Sequence, residues 1–308
     1  MRAAAIFGPG SSEKDLKPFQ SNSNATWLID MPAGTKEADA VLIFGGDGTV
    51  HRHLEQLVKL QLPVLIVPRG SGNDFARALN LRRIRDVITA WKKFVSNVSN
   101  VRAIDLGIIT PGADSGESAD FEESKHEPQS PLPRNQKYFC CVAGVGLDAD
   151  VALRANKLPR WLRAHGGYAF TLPHALFRFA PFPMKISIPD TAQPHRFVQR
   201  TAKPTILAAF ANAPSYGGGM KIAPQAKLDD GQLDICLIAD IDKLKLFCLF
   251  PTVYFGRHLS IPEVEYFQTP ALRVETEHPL DVYADGEYVC QTPVEVGVAR
   301  AALRVIVP

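Results

Sequence analysis

The sequence has almost no net charge and no hydrophobic run long enough to cross a membrane. Its 308 residues include 34 Lys and Arg against 32 Asp and Glu, which leaves a formal net charge of +2. This balance favours neither nucleic acid nor an acidic macromolecule as a partner. The most apolar run, Leu244–Tyr254, contains Pro251 and is far shorter than a transmembrane helix. We therefore expect any membrane contact to be peripheral.

Cysteine is scarce and lacks the spacing of a metal site. The five cysteines are Cys140, Cys141, Cys236, Cys248 and Cys290. We expect free thiols in a reducing cytosol, and the spacing argues against a zinc site. The N-terminal stretch Met1–Phe7 is too short for a signal peptide, so it is expected to form a first strand in a cytoplasmic protein.

Two glycine-rich turns are the main motif of the first half. They are Gly45-Gly46-Asp47-Gly48-Thr49 and Pro68-Arg69-Gly70-Ser71-Gly72-Asn73-Asp74. Each follows a short apolar run, 41–44 or 64–68, and precedes a helical pattern, 50–60 or 75–79. A helix N-terminus after such a turn presents backbone N–H groups to an anion, and glycine lets a phosphate approach the backbone. Two such turns favour a polyphosphate site over ordinary βα turns with a helix-capping Asp.

The apolar runs predict two domains. Strands near 2–7, 41–44, 64–68 and 101–109 alternate with helices near 50–60, 73–80 and 85–96, which indicates a mostly parallel α/β sheet. Strand-like runs from about residue 135 predict a β-sandwich; they are 137–142, 183–188, 205–211, 233–238, 272–275, 280–283 and 303–307. The expected domains are 1–110 and 136–308, joined by a mobile Asp-, Glu-, Ser- and Pro-rich insert at 111–135. Packing of the last strand on the first domain stays open.

The two turns, with PRGSGNDFAR at 68–77, resemble the catalytic domain of diacylglycerol-kinase-type lipid kinases. The resemblance extends over nearly the whole chain, through Gly144–Ala149, Tyr216–Met220, Leu228–Gly231 and Asp285–Glu287. It implies an NAD-kinase-like N-terminal α/β domain with a mostly parallel sheet, followed by a C-terminal β-sandwich domain. It also implies transfer of the γ-phosphate of ATP, with Mg²⁺, to a lipid hydroxyl.

By resemblance, three segments line the ATP site. They are Gly8, Pro9, Gly10 and Ser11, then Gly45, Gly46, Asp47, Gly48 and Thr49, and finally Gly70, Ser71, Gly72, Asn73 and Asp74. Thr49 and Ser71 have hydroxyls that can donate to phosphate oxygens, and Mg²⁺ is expected near Asp47. Asp74 either joins a carboxylate–water network around the metal or caps its helix.

Two carboxylates compete for the role of proton acceptor. Asp285 with Gly286, taken alone, favours a hairpin turn, but the resemblance places Asp285 at the acceptor side of an interdomain cleft. Asp47 is the second candidate, because it has that role in the sphingosine-kinase branch. We expect Asp285 to be the base, Asp47 to be linked to Mg²⁺, and Glu287 to be a further catalytic residue.

The resemblance also implies a structural Mg²⁺ held by Asp230 and the backbone carbonyl of Gln232. Lys227 stands at the third ligand position, where an ammonium group cannot bind a cation and opposes it. This lysine argues against an intact metal site, and its ammonium group is a candidate substitute for the ion.

Departures from the family pattern concern the nucleotide. The loop at 8–11 lacks the usual Asn, and the usual Leu-Asn-Glu after the first turn is Val50-His51-Arg52 here. Residues 12–40 have room for about one short helix and a strand at 25–30, so the adenine side is expected to be remodelled. His51 and His53 lie on different faces of a helix and are expected to face solvent.

Basic and aromatic residues suggest where a membrane would bind. Arg154–Arg163 has basic residues at helical spacing, and the aromatic stretch His174–Phe182 follows. This pattern is typical of a helix on anionic headgroups, although an ordinary amphipathic helix has it too. The expected partners are a lipid substrate and a membrane surface, while a homodimer stays open.

Three functions fit these observations. The leading hypothesis is an ATP- and Mg²⁺-dependent lipid kinase. A kinase for NAD or another soluble acceptor is disfavoured, because the motifs at 68–77, 216–220 and 285–287 belong to the lipid-kinase resemblance. A degenerate member that binds without turnover is favoured by the short N-terminal lobe and opposed by the two retained carboxylates.

Overall fold

The computed structural model of the chain describes residues 1–112, 136–147, 149–151, 175–177, 179–193 and 196–308. Apart from residues 111 and 112, the expected insert lies outside these ranges, and so does the expected basic helix at Arg154–Arg163. Within the described ranges, no helix is long and apolar enough to cross a membrane.

The first domain is a parallel sheet combined with helices. Its elements are β1 (Arg2–Phe7), α1 (Lys17–Gln20), β2 (Thr26–Ile29), β3 (Ala40–Gly45), α2 (Asp47–Leu60), β4 (Val64–Pro68), α3 (Asp74–Ala78) and α4 (Ile84–Val95). The parallel strand order is β2-β1-β3-β4. All of β3 is buried, as expected for a central strand of a parallel sheet. Helix α2 buries Val50, Leu54 and Leu57, whose spacing forms one apolar face.

The glycine turns lie at one edge of this sheet. Phe7 of β1 is in register with Phe44 of β3, and Gly45 of β3 is in register with Pro68 of β4. Because parallel strands end on the same side, the turns that follow β1, β3 and β4 are neighbours. Open α/β sheets bind their ligands at this edge.

The second domain is a β-sandwich. Its elements are β5 (Val101–Pro111), β6 (Lys137–Phe139), β7 (Val142–Gly146), β8 (Phe182–Pro189), β9 (Phe197–Thr201), β10 (Pro204–Ala211), β11 (Leu233–Ala239), α5 (Lys243–Leu249), β12 (Val264–Thr269), β13 (Ala271–Thr276), β14 (Asp281–Ala284), β15 (Glu287–Gln291) and β16 (Val294–Ile306). One layer has the order β15-β14-β7-β10-β11-β12. The other has the order β9-β8-β13-β16-β5-β6. Side chains from both layers, among them Phe139, Phe210 and Val274, form the core between them.

Strands β5 and β16 connect the two domains. They pair along most of their length, and β16 continues past a register break to pair with β4 through Val305 and Val64. Asp105 of β5 stabilises the break, because its carboxylate accepts hydrogen bonds from the N–H groups of Gly231 and Ala301, both at 2.7 Å. Strand β16 thus belongs both to the parallel sheet of the first domain and to one layer of the sandwich.

The predicted fold class is confirmed, and α1 with β2 confirms the short helix and strand expected within 12–40. The sequence does not predict β9, β12 or β15, nor the first half of β16. The first three are edge strands, and β9 and β15 contain exposed residues, so they lack a clear apolar pattern. Helix α2 begins at Asp47 rather than at Val50, which makes Asp47, Gly48 and Thr49 its first turn.

Candidate active site

The two glycine turns are in direct contact. A Cβ added to Gly46 would lie 2.8 Å from the Cα of Gly70, and one added to Gly70 would lie 2.5 Å from the Cα of Gly46. Both positions therefore need glycine. Thr49 fills the space beside Gly8 and Gly45 in the same way. Thr49 is only 7% exposed, so its side chain packs the turns together.

The second turn uses its polar groups within the protein. Asn73 accepts a hydrogen bond from the Gly70 N–H at 2.8 Å and donates one to the Gly70 carbonyl at 2.6 Å. The N–H groups of Asp74 and Phe75, at the start of α3, donate to the Asp47 carboxylate at 3.1 and 3.0 Å. The expectation that α3 presents these N–H groups to phosphate is therefore wrong, because Asp47 already occupies them.

Asp47 is the first residue of α2 and contacts both turns. Burial raises the pKa of Asp47 and the charge of Asp74 raises it further; the hydrogen bonds from Phe75 and Asp74 oppose this rise, and the resulting pKa is about 6. A carboxylate with a pKa near neutrality is suited to accept a proton. A cation beside it would favour its ionised form, so both roles expected for Asp47 stay open.

Asp74 joins the two domains. Its buried carboxylate accepts hydrogen bonds from Arg77, from the Ser215 hydroxyl at 3.1 Å and from the Gly218 N–H at 2.7 Å. Gly218 is the second of three successive glycines with positive φ in the loop Tyr216–Met220. Asp74 therefore anchors this loop to α3 and does not cap its own helix.

Asp285 lies between β14 and β15, with a φ of 51°. Its side chain is fully buried, and its two oxygens accept hydrogen bonds from the N–H groups of Cys140 and Cys141, each at 2.8 Å. A hydrogen bond with His51 Nδ1 at 3.1 Å completes the enclosure. Burial by itself would raise the pKa of Asp285, but His51 and the two N–H groups outweigh burial and lower it. The structure thus holds an ionised carboxylate away from solvent.

His51 connects α2 with Asp285. Its side chain is 17% exposed, so the expectation that His51 faces solvent is wrong. Burial disfavours the charged ring, but the hydrogen bond and the charge of Asp285 outweigh burial and raise the pKa of His51. His51 follows Asp47 by four residues and lies on the same face of α2. Asp47 and His51 therefore line one cleft between the domains, and the buried Asp285 carboxylate lies behind His51.

The loop at 8–11, which follows β1, is fixed at one end and open at the other. The Ser11 hydroxyl hydrogen-bonds with the carbonyls of Gly8 and Phe44, each at 2.7 Å, and so holds the loop against β3. Pro9 and Gly10 are exposed, and a Cβ added to Gly10 would have no neighbour within 4 Å. The space beside Gly10 is the accessible part of this loop.

The remaining predicted residues lie around the cleft. Glu287 is exposed at the start of β15, and a Cβ added to Gly48 would lie 3.4 Å from its carboxylate. A Cβ added to Gly72 would lie 3.0 Å from an Asp47 oxygen. Ser71 is exposed at the rim. These residues thus surround Asp47 on the side facing the second domain.

Asp230 and Gln232 form a tight turn, in which the Gln232 N–H donates to the Asp230 carboxylate at 3.0 Å. In the described part of the chain, one group of three His, Cys, Asp or Glu side chains has ligand atoms within 4.8 Å of one another. It consists of Cys140, Cys141 and Asp285 and does not include Asp230. The guanidinium of Arg300 packs against Gly231 in this turn, and Lys227 is nearby in sequence. These residues do not fit a structural Mg²⁺.

An apolar cavity adjoins the cleft. Its lining includes Leu147, Leu207, Ile238, Leu246, Leu249 and Phe250. Tyr216 and Met220 also line it, and they flank Gly218, which donates to Asp74. The loop Tyr216–Met220 is therefore both a wall of the cavity and a side of the cleft.

Two family models match the chain, one in each domain. The diacylglycerol kinase catalytic domain matches residues 15–109, and the YegS C-terminal NAD kinase beta sandwich-like domain matches residues 141–307. The chain belongs to the diacylglycerol kinase family of lipid kinases. The second match alone covers more than half of the chain and coincides with the β-sandwich.

Individual members of this lipid kinase family are similar over most of the chain. A diacylglycerol kinase of Mycobacterium tuberculosis is 33% identical over 283 residues, covering 90% of this chain and 79% of that protein. A YegS-like lipid kinase of Chromohalobacter salexigens is 30% identical over 258 residues, covering 80% of this chain and 69% of that protein. A crystal structure of a diacylglycerol kinase from Bacillus anthracis has a TM-score of 0.64 at 18% identity, covering 100% of this chain and 97% of that one. This last likeness shows the shared fold.

Sequence reasoning misses several cleft residues of this lipid kinase. His51 has a detectable signal, because its spacing of four residues from Asp47 puts both on one helix face. Ser215 directly precedes the glycine motif that sequence comparison recognises. The N–H groups of Cys140 and Cys141 have no signal, because every residue except proline has such a group.

Proposed function

We propose that this lipid kinase transfers the γ-phosphate of ATP to a hydroxyl group of a lipid such as diacylglycerol, with Mg²⁺ as the metal. The loop Tyr216–Met220 carries the proposal, because it donates to Asp74 at the polar cleft and lines the apolar cavity. A lipid whose tail occupies the cavity would have its headgroup hydroxyl at the cleft.

The polar side of the cleft fits nucleotide phosphates. Helix α2 has 14 residues and begins in the first glycine turn. The Thr49 and Val50 N–H groups donate to the Gly46 carbonyl, which leaves the N–H groups of Asp47 and Gly48 to attract an anion. Gly10 leaves the first loop open. Asp47 accepts two backbone hydrogen bonds, yet its oxygens keep further lone pairs, so it is the residue that would hold Mg²⁺. When bound, the metal offsets the negative charge of the phosphates.

The cavity favours a lipid acceptor over a soluble one. Among the lining residues that the structure describes, only Tyr216 and His258 have side-chain oxygen or nitrogen atoms. A nucleotide such as NAD would find few hydrogen-bond partners there, and burying its polar groups would cost free energy. An acyl chain instead contributes about 0.8 kcal/mol of binding free energy for each buried methylene group.

Helix α5 supports the proposal that the protein takes its substrate from a membrane surface. Leu246 and Leu249 line the cavity, whereas Leu244 and Phe247 are 64% and 43% exposed. Phe255, in the segment after α5, is 73% exposed. Exposed apolar side chains beside an apolar cavity are typical of peripheral membrane contact.

A binding role without turnover is the alternative that has a structural observation in its favour. Between β1 and β3 lie a 3-10 helix (Glu13–Leu16), the four-residue helix α1 and the mostly exposed strand β2. Little protein is therefore present to support an adenine base. A member of this kind would bind lipid or nucleotide and transfer nothing.

A transfer assay with radiolabelled ATP tests the proposal. The acceptors are a panel of lipids in mixed micelles, with NAD in parallel, and we expect label in a lipid. Label in NAD alone contradicts the proposal, and binding without transfer to any acceptor supports the alternative. Asp47→Ala is expected to abolish transfer while circular dichroism shows the fold retained. Glu277→Ala, which removes an exposed carboxylate, is the control.

A further inference from the structure

We propose that His51, and not Asp285, accepts the proton of the lipid hydroxyl, and that Asp285 positions and stabilises the His51 ring. This inference rests on the proposed function. It follows from which of the two side chains a substrate can reach.

The carboxylate of Asp285 is closed to a substrate. Its side chain has 0% exposure. Its oxygens accept hydrogen bonds from the N–H groups of Cys140 at 2.8 Å, Cys141 at 2.8 Å and Val142 at 3.3 Å, and from His51 at 3.1 Å. A hydroxyl could reach either oxygen only by displacing one of these donors, which would leave a buried donor without a partner. Asp285 therefore has to act through a neighbour.

The imidazole of His51 provides that route. Nδ1 lies 3.1 Å from Asp285, and since a carboxylate accepts, Nδ1 carries the hydrogen and Nε2 has the lone pair in the neutral ring. The side chain is 17% exposed, and no hydrogen bond to Nε2 occurs among the described residues. Nε2 of His51 thus carries a lone pair that is free to accept a proton.

The surrounding charges favour a protonated ring. The titratable groups around His51 are Asp285 between β14 and β15, Glu287 on β15, Lys137 on β6, the thiol of Cys140, and Asp47 and Glu55 on its own helix. Lys137 opposes a positive ring, whereas Asp285 and Glu287 favour it. An imidazolium formed by proton transfer is therefore stabilised where it forms.

The proposed step conserves atoms and electrons. His51 takes the hydroxyl proton on Nε2 while the lipid oxygen forms a bond to the γ-phosphorus. The bond between that phosphorus and the oxygen bridging to the β-phosphate breaks, and its electron pair stays on ADP. Asp285 remains ionised throughout, as the buried Asp does in Ser-His-Asp triads. The proton then leaves from the exposed edge of the His51 ring.

His51→Gln tests the inference. Glutamine can still donate to Asp285 but has no lone pair that titrates near neutral pH. We expect kcat/KM for phosphoryl transfer to fall by about 100-fold or more, the range of a lost general base. In the wild type, kcat/KM is expected to rise with pH through an inflection above about 6.5, and this inflection is expected to be absent from His51→Gln. His53→Gln, on another face of α2, should behave like the wild type.

The outcomes separate this inference from the proposed function. Transfer by the wild type, with unchanged kcat/KM and inflection in His51→Gln, contradicts the inference alone. No transfer by the wild type to any acceptor contradicts both.

NMR of the histidine ring nitrogens, without nucleotide, is an independent readout. We expect the neutral ring of His51 to carry its proton on Nδ1 and to titrate above the ordinary histidine value, and Asp285→Asn should lower that midpoint. A neutral ring protonated on Nε2, or a midpoint unchanged in Asp285→Asn, contradicts the positioning role.

Discussion

Asp47 and Asp285 are the same chemical group in two different surroundings. Burial and the charge of Asp74 raise the pKa of Asp47 to about 6, whereas His51 and backbone N–H groups outweigh burial and lower the pKa of Asp285. Two carboxyl groups whose pKa values are shifted in opposite directions are suited to different tasks. In the proposed function, Asp47 is the group that would meet the charge of the phosphates, and Asp285 is the ionised group behind His51. Removal of Asp285 is therefore expected to reduce stability as well as activity.

His258 is a second histidine whose surroundings set its charge. It lines the apolar cavity and is 4% exposed. Its Nε2 donates to the Ile222 carbonyl at 3.0 Å, and Nδ1 has no partner within the part of the chain that the structure describes. Burial lowers the pKa of His258, and the bond to Ile222 only partly opposes this effect. The native state thus holds a neutral ring.

We expect the wild type to lose stability relative to His258→Gln as the pH falls through about 6.5. Below that pH the unfolded chain binds a proton on His258, which the native state binds only at lower pH. Proton uptake therefore favours unfolding. Thermal midpoints measured from about pH 7.5 to about pH 5.5 check this, with the exposed His278 changed to Gln as the control. Parallel pH profiles for the wild type and His258→Gln would rule out the effect.

At the scale of elements, the starts of α2 and α3 are held together by backbone contact. Gly46 and Gly70 touch, and Asp47 of α2 accepts hydrogen bonds from the first N–H groups of α3. The position of one helix start therefore depends on the other. This dependence explains why the motif has two glycine turns at neighbouring strands.

Gly70→Ala is expected to reduce the free energy of unfolding by about 1–3 kcal/mol, the usual cost of overpacking, and to reduce phosphoryl transfer. The added methyl group would lie 2.5 Å from the Gly46 Cα, and it would separate Asp47 from α3. Chemical denaturation and the transfer assay measure the two effects. Gly34→Ala is the matched control, because a Cβ there meets nothing within 4 Å. Native stability in Gly70→Ala would show that the turns can move apart freely.

At the scale of the whole molecule, both domains build the cleft. The first domain contributes Asp47 and His51, and the second contributes Asp285, Ser215 and Gly218. Strands β5 and β16 join the two sheets continuously, so these groups are held by paired strands as well as by side-chain contacts. The apolar cavity belongs to the second domain and adjoins the cleft through the Tyr216–Met220 loop.

The proposed membrane contact would depend on the whole molecule, because it would set how the cavity mouth meets the lipid. We expect Phe247→Ser to weaken binding to lipid vesicles at least about tenfold, since burying an aromatic side chain contributes about 1.5–3 kcal/mol. Transfer to a short-chain diacylglycerol in solution should be unchanged. Val98→Ser, which alters a side chain 51% exposed in the first domain, is the control for vesicle sedimentation. Equal binding by the Phe247 and Val98 variants would place the membrane surface elsewhere.

The sequence by itself determined the order of strands and helices in the first domain, the glycine turns and the presence of Asp47 and Asp285. These features depend on local periodicity and on short motifs, which a chain shows before it folds. It also indicated the sandwich, but not its edge strands β9, β12 and β15.

Only the tertiary structure decided what the polar groups do. In the structure, Thr49 packs between the glycine turns and Asn73 forms hydrogen bonds within the second turn. Asp74 accepts a hydrogen bond from Gly218 of the second domain. His51 forms a hydrogen bond with Asp285, which is 234 positions away in the sequence. Contacts at such separations depend on strand order and register, which no local pattern encodes. The physical reason is that burial and hydrogen bonding depend on which groups are close in space, whereas a sequence motif shows only which residues are close along the chain.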